Sequence, residues 1–190
     1  MSWIEIIAVI FSLVCTWLAV KKHILNWPAG IIGVSFYLIL FYRERLYADM
    51  ILQVVFIVQG IYGWYNWKNK KSELEELGVS YLNNTQRILY GSVILIIAFL
   101  WSYLLVKYTN ASTPHVDAFV ATTSLIANWL MAKKKIENWI LWILADAIYI
   151  LLFWYKELYL SSGIYVVFLI LAIKGLSDWN KQKNIKRDLY

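Results

Sequence analysis

Charge is scarce in this chain of 190 residues: Asp, Glu, Lys and Arg together make up only 16% of it, against roughly 25% in a soluble domain. That shortage excludes an ordinary water-soluble globule. A single cysteine, Cys15, rules out a disulfide within the chain and reads as an inert buried thiol. The two histidines, His23 and His115, fall in loops on opposite faces, and no Cys/His/carboxylate cluster has ligand spacing, so no metal site is expected. A Walker A loop and a dinucleotide fingerprint are missing as well, which leaves no motif for ATP hydrolysis and no cofactor to expect. The opening residues, Met1-Ser-Trp-Ile-Glu, lack a basic n-region and a small-residue cleavage site; the first apolar run is therefore expected to be a retained helix and not a signal peptide.

What is abundant is apolar surface, 61% of residues, with a mean hydropathy of +0.58. Runs of the length that crosses a hydrocarbon core of ~30 Å fall at 3–20, 26–43, 47–67, 87–107, 116–132, 138–155 and 158–179. They predict an all-α membrane protein with seven transmembrane helices, since barrel strands would alternate over about ten residues. Basic residues sort by loop. Lys21 and Lys22, then Lys68, Lys70, Lys71 and Arg87, then Lys133 to Lys135, and finally Lys181, Lys183, Lys186 and Arg187 share one side; Arg43, Arg45, Lys107 and Lys156 fall on the other. The positive-inside rule then puts the N-terminus outside and the C-terminus in the cytoplasm. Topology and anionic lipid account for the net charge of +6, and no basic patch calls for nucleic acid.

The chain also contains itself twice. Shifted by 112 positions, residues 11–67 align with 123–179 without a gap and with about twenty identities, among them Trp17 with Trp129, Asn26-Trp27 with Asn138-Trp139, Tyr37 with Tyr149, Leu46-Tyr47 with Leu158-Tyr159, Gly63 with Gly175 and Trp67 with Trp179. The expected organisation is a first three-helix repeat at 1–67, a cytoplasmic linker with one short surface helix at 68–86, a connecting transmembrane helix at 87–107, a second three-helix repeat at 116–179, and a cytoplasmic tail at 180–190. Three spans invert the chain, so the single connecting helix restores the starting side and the 3+1+3 repeats run parallel. The turn at 109–115 contains Asn110-Ala-Ser112, a glycosylation acceptor pattern too common to carry weight.

Polar groups within the spans mark the bundle interior, because hydrocarbon penalises them by several kcal/mol when unpaired. Helix 6 carries Asn138, Trp142, Asp146 and Tyr149 on one face, and helix 3 carries Asp49, Gln53, Phe56, Gly60, Gly63 and Trp67. Helix 2 adds Asn26, Gly30, Gly33 and Tyr37, helix 5 Ser124 and Asn128, and helix 7 Ser161, Tyr165, Phe168 and Gly175. Asp146, near the midplane, is the costliest of these. Flanked by Trp142 and Tyr149, it makes a site for a flat cation, while Asn128, Asn138, Gln53, Asn26 and Tyr165 are candidates for the remaining substrate contacts. Asp49, near the outer end of its helix, is read as a cap. Gly30, Gly33, Gly60 and Gly63 are expected points of close helix approach that double as hinges.

The strings LYADMILQVVF, IYGWYNW and KKKIENWILWILADAIY resemble the Pnu family of bacterial vitamin transporters over nearly the whole chain, with the Asn-Trp signature present in both copies. The resemblance implies a SWEET-like arrangement in a bacterial cytoplasmic membrane, facilitated diffusion, capture of the substrate by a cytoplasmic kinase, and a homotrimer. It also implies a small vitamin as substrate, with nicotinamide riboside leading. One position departs from that pattern: nicotinamide riboside carriers of the family resemble Asn-Trp-x-x-Trp-x-x-x-Asn, whereas here the last position is Asp146. An amide offers donor and acceptor to a carboxamide; a carboxylate only accepts. Thiamin, with an aminopyrimidine and a thiazolium, suits Asp146 and is the close alternative. A sugar carrier of the SWEET type would favour neutral groups at that depth. A retinal-binding protein would need Lys174 inside the bundle, where its position five residues before Trp179 instead lets it snorkel to the surface. The mismatched pairs, Val34 with Asp146, Gly30 with Trp142 and Gln53 with Tyr165, predict a duplicated scaffold around an unduplicated, asymmetric site.

Overall fold

The computed structural model describes residues 3–43, 46–69, 78–109 and 111–188. Among these, seven helices follow one another: α1 (Trp3–Val20), α2 (Asn26–Arg43), α3 (Tyr47–Lys68), α4 (Asn84–Tyr108), α5 (Pro114–Ala132), α6 (Glu137–Tyr155) and α7 (Tyr159–Asp188). By length and composition α1, α4, α6 and α7 are apolar enough to cross a membrane. The other three owe their lower hydropathy to inward polar residues, such as Gln53, Gln59 and Asn66 on α3 and Thr122, Thr123, Ser124 and Asn128 on α5. The two threonine hydroxyls bond back to Ala118 and Phe119 carbonyls at 2.8 and 2.7 Å, which lets them lie within an apolar helix.

Helix ends depart from the apolar runs where local chemistry moves them. α4 begins at Asn84, three residues before the expected start, because Asn83 and Gln86 form a reciprocal capping box. α5 begins at Pro114, the residue whose missing N–H suits a first helical turn. α7 continues through residues 180–188, where the sequence leads one to expect a tail. Of the linker at 68–86, where a short helix is expected, residues 70–77 lie outside the described residues, as does the acceptor Asn110. Past them, Ser80 lies in an extended bridge with Lys135: Ser80 N–H donates to Lys134 O at 3.2 Å, and Ile136 N–H donates to Ser80 O at 3.0 Å.

α1 and α5 close in the same way. Lys22 and Lys134 take left-handed φ angles of 54° and 50°. Their N–H groups donate to Ala19 and Met131 carbonyls, and the next N–H in each turn, on His23 and Lys135, reaches Leu18 and Leu130, all at 2.9 Å. This is a Schellman closure built with lysine where glycine is usual.

Six helices form a closed ring in which α1 packs on α2, α2 on α3, α3 on α5, α5 on α6, α6 on α7, and α7 again on α1. Among the described residues α4 packs chiefly on α5, with Arg87 reaching Glu137 at the start of α6, and it stands outside the ring. The two seams between halves meet in contacts that are 112 residues apart. Trp67 donates its indole N–H to Ala132 O at 3.1 Å, and Trp179 donates to Val20 O at 3.3 Å. Trp27 stands edge-on to Trp67, and Trp139 edge-on to Trp179, each with centroids 5.4 Å apart. The Lys134 and Lys22 ammonium groups lie 4.9 and 6.0 Å from the Trp67 and Trp179 rings. Together with Val20, Ala132 and Ile136 these tryptophans make up the main buried cluster, which closes one end of the ring.

Candidate functional site

Inside the ring lies a cavity of about 490 Å³, within the size range of small-molecule sites. Six helices, three from each half, line it, and α4 contributes nothing. Its floor is the tryptophan cluster, where Asn26, Trp27 and Trp139 are buried. At the opposite end Glu5, Phe41, Asp49 and Ser161 form the rim, and Asp49 is exposed. The cavity is thus shut at the end where α1 and α5 finish and reaches the surface where α3 and α7 begin.

Asp146 lines this space from the middle of α6, with only 5% of its surface exposed. No hydrogen bond or ion pair joins it to another described residue. A carboxylate so placed in a low-dielectric interior is unfavourable until something supplies a donor or a positive charge. Trp142, one turn before it, also lines the cavity, and its buried indole N–H has no partner among the described residues. Tyr149, one turn after, joins an aromatic group in which its ring lies 4.6 Å from Tyr165 and 5.5 Å from Phe153, with Tyr165 and Phe168 5.8 Å apart. In the first half, Tyr37 and Phe41 repeat only the Tyr149–Phe153 stack, at 5.8 Å.

Of the substrate residues expected from sequence, Asp146, Trp142, Tyr149, Asn128, Gln53, Asn26 and Tyr165 all line the cavity. Asn138 does not. It is wholly buried at the start of α6, and its Nδ2 donates to Lys135 O at 2.6 Å, closing the turn before the helix. Asn26 makes the matching bond to His23 O at 2.8 Å, yet still borders the cavity floor. Among the glycines, Gly30 and Gly60 line the cavity, and Gly33 and Gly63 pack away from it. All four sit under neighbours: a β-carbon at Gly30 would lie 2.9 Å from Cys15 Sγ, and one at Gly60 2.9 Å from Ile31. Lys174 is exposed and outside the lining.

Several residues went unread in sequence. Glu5 sits in the rim and carries the only acid of the first apolar run, a signal that was available. Tyr37, expected on the inward face of helix 2 but not among the substrate contacts, also lines the cavity, as its repeat partner Tyr149 does. Gln59 lies off the polar face of α3 and behind the lining, where its Oε1 accepts from Asn128 Nδ2 at 3.0 Å.

Comparison with known proteins agrees with this geometry. The family model of the nicotinamide mononucleotide transporter matches residues 2–181. The chain belongs to that family, the Pnu family of membrane transporters, and is not an enzyme. It is 28% identical over 204 residues to the nicotinamide riboside transporter PnuC of Escherichia coli (strain K12), covering 94% of this chain and 85% of that one. To the protein of the same name from Neisseria mucosa it is 26% identical over 192 residues, covering 95% and 73%. The crystal structure of the vitamin B3 transporter PnuC superposes with a TM-score of 0.75 at 26% identity, covering 95% of this chain and 81% of that one. In this member of the Pnu family, aromatic side chains reach the cavity from both halves, Tyr37 and Phe56 from the first and Trp142, Tyr149 and Tyr165 from the second, and of the lining acids Glu5 and Asp49 belong to the first half and Asp146 to the second.

Proposed function

We propose that this chain is a facilitative uniporter for nicotinamide riboside, seated in a bacterial cytoplasmic membrane. The observation that carries the reading is Asp146, buried and without a partner among the described residues, in a cavity whose neighbouring side chains are Trp142 and Tyr149. A pyridinium ring fits that set: the ring is flat and cationic, the indole and phenol faces attract it by about 0.5–2 kcal/mol per contact, and the carboxylate balances its charge. Gln53, Asn26 and Asn128 then meet the ribose hydroxyls and the carboxamide. The relatives named nicotinamide riboside transporter support the same substrate.

In this reading all seven helices span the membrane as 3+1+3 parallel repeats in the SWEET-like manner, with α4 restoring the starting side and the N-terminus outside. The 112-residue contact pairs of Trp67 and Trp179 support it. The cavity then opens outward past Asp49, and the tryptophan floor closes the cytoplasmic end. Transport is the exchange of that closure for its opposite as the halves rock, with Gly30, Gly33, Gly60 and Gly63 at the contacts that slide. Accumulation beyond the outside concentration then depends on a cytoplasmic kinase that traps the substrate. The family resemblance favours a homotrimer in the membrane.

A second reading, thiamin, is favoured by Asp146 itself, because an aminopyrimidine and a thiazolium both suit a carboxylate. Uptake of radiolabelled nicotinamide riboside and thiamin into proteoliposomes, by the wild type and by Asp146→Asn, separates the two. The expected result is uptake of the riboside, with KM raised about tenfold or more in the variant. Transport of thiamin alone would replace the first reading by the second, and transport of neither would sink both.

A further inference from the structure

The orientation of one amide in the cavity wall is fixed from behind. Leu125 O on α5 can only accept, so the group that meets it at 3.2 Å is Gln59 Nε2. With its nitrogen committed there, Gln59 turns Oε1 toward Asn128, and an acceptor in that position requires Nδ2 of Asn128, which donates to it at 3.0 Å. A flip of either amide would set oxygen against oxygen or nitrogen against nitrogen. The backbone carbonyl therefore dictates both amides in turn. Asn128 lines the cavity and Gln59 does not, and among the described residues nothing donates to Asn128 Oδ1.

We propose that Gln59 is a positioning residue for substrate selection: by taking one N–H of Asn128 Nδ2 it fixes the orientation of that amide and keeps Oδ1 as its open acceptor at the cavity wall, so that this wall selects a substrate bearing an N–H donor over one bearing only acceptors. The inference rests on the vitamin reading above, and it sharpens that reading by naming the side of the substrate that Asn128 recognises: the carboxamide NH2 of nicotinamide, or the amino group of an aminopyrimidine. The device belongs to one seam only. At the other seam, between α7 and α1, the positions of Gln59 and Asn128 correspond to Leu171 and Thr16, where no such relay can form. The seam survives its loss, because Asn66 Nδ2 and Trp67 Nε1 still donate to Ala132 O at 2.8 and 3.1 Å, and Tyr62 still stacks on Trp129 at 5.0 Å.

The test compares nicotinamide riboside with nicotinic acid riboside, whose carboxylate has no N–H, in proteoliposomes of the full chain. Gln59→Met keeps the volume and removes both polar atoms; Gln59→Leu copies the other seam; Asn66→Leu removes a hydrogen bond from the same seam without touching Asn128. The wild type should prefer the amide. Both Gln59 variants should lose about tenfold of that KM ratio, chiefly through a higher KM for the amide, with the maximal rate within about twofold of wild type, while Asn66→Leu keeps the ratio. An unchanged ratio in folded Gln59→Met and Gln59→Leu overturns the proposal, as does an equal loss in Asn66→Leu. If the wild type carries thiamin instead, the nicotinamide reading alone fails, and the same ratio is read between thiamin and its 4-oxo analogue. Uptake of neither pair overturns the vitamin reading and the proposal together.

Discussion

The indole of Trp27 covers Gly63 so closely that a β-carbon on that glycine would fall 2.4 Å from the ring. Trp139 covers Gly175 in the same way, at 2.5 Å. Each glycine is the seat of a tryptophan that closes the cavity floor, and neither ring has space to retreat, because its edge already meets Trp67 or Trp179. Gly63→Ala and Gly175→Ala should each destabilise the protein by about 1–3 kcal/mol through overpacking. Gly163, whose β-carbon would meet nothing within 4 Å, is the control, and its alanine variant should unfold at or above the wild-type temperature. Thermal unfolding of the three purified variants in detergent checks the order; an unchanged Gly63→Ala would mean that the floor is looser than its contacts indicate.

The linker gives a second test. Glu137 is buried at the start of α6, and both its carboxylate oxygens accept from Leu82 N–H, at 3.1 and 3.0 Å. Arg87 also reaches Oε1, at 2.9 Å, but its side chain is 52% exposed, so the ion pair itself adds little. The amide cap is the larger contribution. Glu137→Leu leaves Leu82 N–H buried without an acceptor, at about 1–3 kcal/mol, whereas Glu137→Gln keeps an acceptor and should lose less than about 1 kcal/mol. Hydrogen exchange should quicken at Leu82 and at Ile136, whose N–H bonds to Ser80 O, in the leucine variant only. Equal protection in both variants would show that the strap is held by something other than Glu137.

The elements that were legible in sequence are those set by bulk hydrophobicity and by the repeat: seven apolar runs, their order, and the inward faces carrying Asp146, Trp142 and Tyr149. Less legible were side chains whose partner is a backbone atom. Asn138 has the residue type and face of a ligand, but its position at the first residues of a helix brings Lys135 O within reach, and local geometry takes the amide. Gln59 failed in the opposite sense, since it lies off the polar stripe of α3 and gains its role only when α5 packs alongside. Glu137 likewise acquires its function from a linker that approaches from 55 residues away in sequence. Periodicity reports which face is buried; it carries no information on which atom waits there.

Orientation is checked by thiol labelling. With Cys15 replaced by Ser, Ala111→Cys at the α4–α5 turn should react with an impermeant maleimide in intact cells, and Gln182→Cys near the end of α7 should react only after the membrane is opened. The reverse pattern would invert the topology and place the tryptophan floor outside.

The final prediction separates two aromatic roles around Asp146. Tyr149 is one ring in a stack with Phe153 and Tyr165, so Tyr149→Phe preserves the surface and should change KM for the cationic substrate by less than about threefold. Trp142 has no ring partner within the described aromatic contacts, and its N–H is unpaired, which leaves its face and its edge to the ligand. Trp142→Leu should therefore raise KM about two- to thirtyfold, the range of a cation–π contact of about 0.5–2 kcal/mol, while Trp142→Phe keeps part of that attraction and falls between. A neutral isostere of the substrate, with a carbon in place of the ring nitrogen, supplies the control, because its KM should respond to Asp146→Asn and Trp142→Leu far less than that of the cation. If both substrates lose affinity equally, Trp142 acts by shape alone, and the charge of Asp146 serves something other than recognition of the ring.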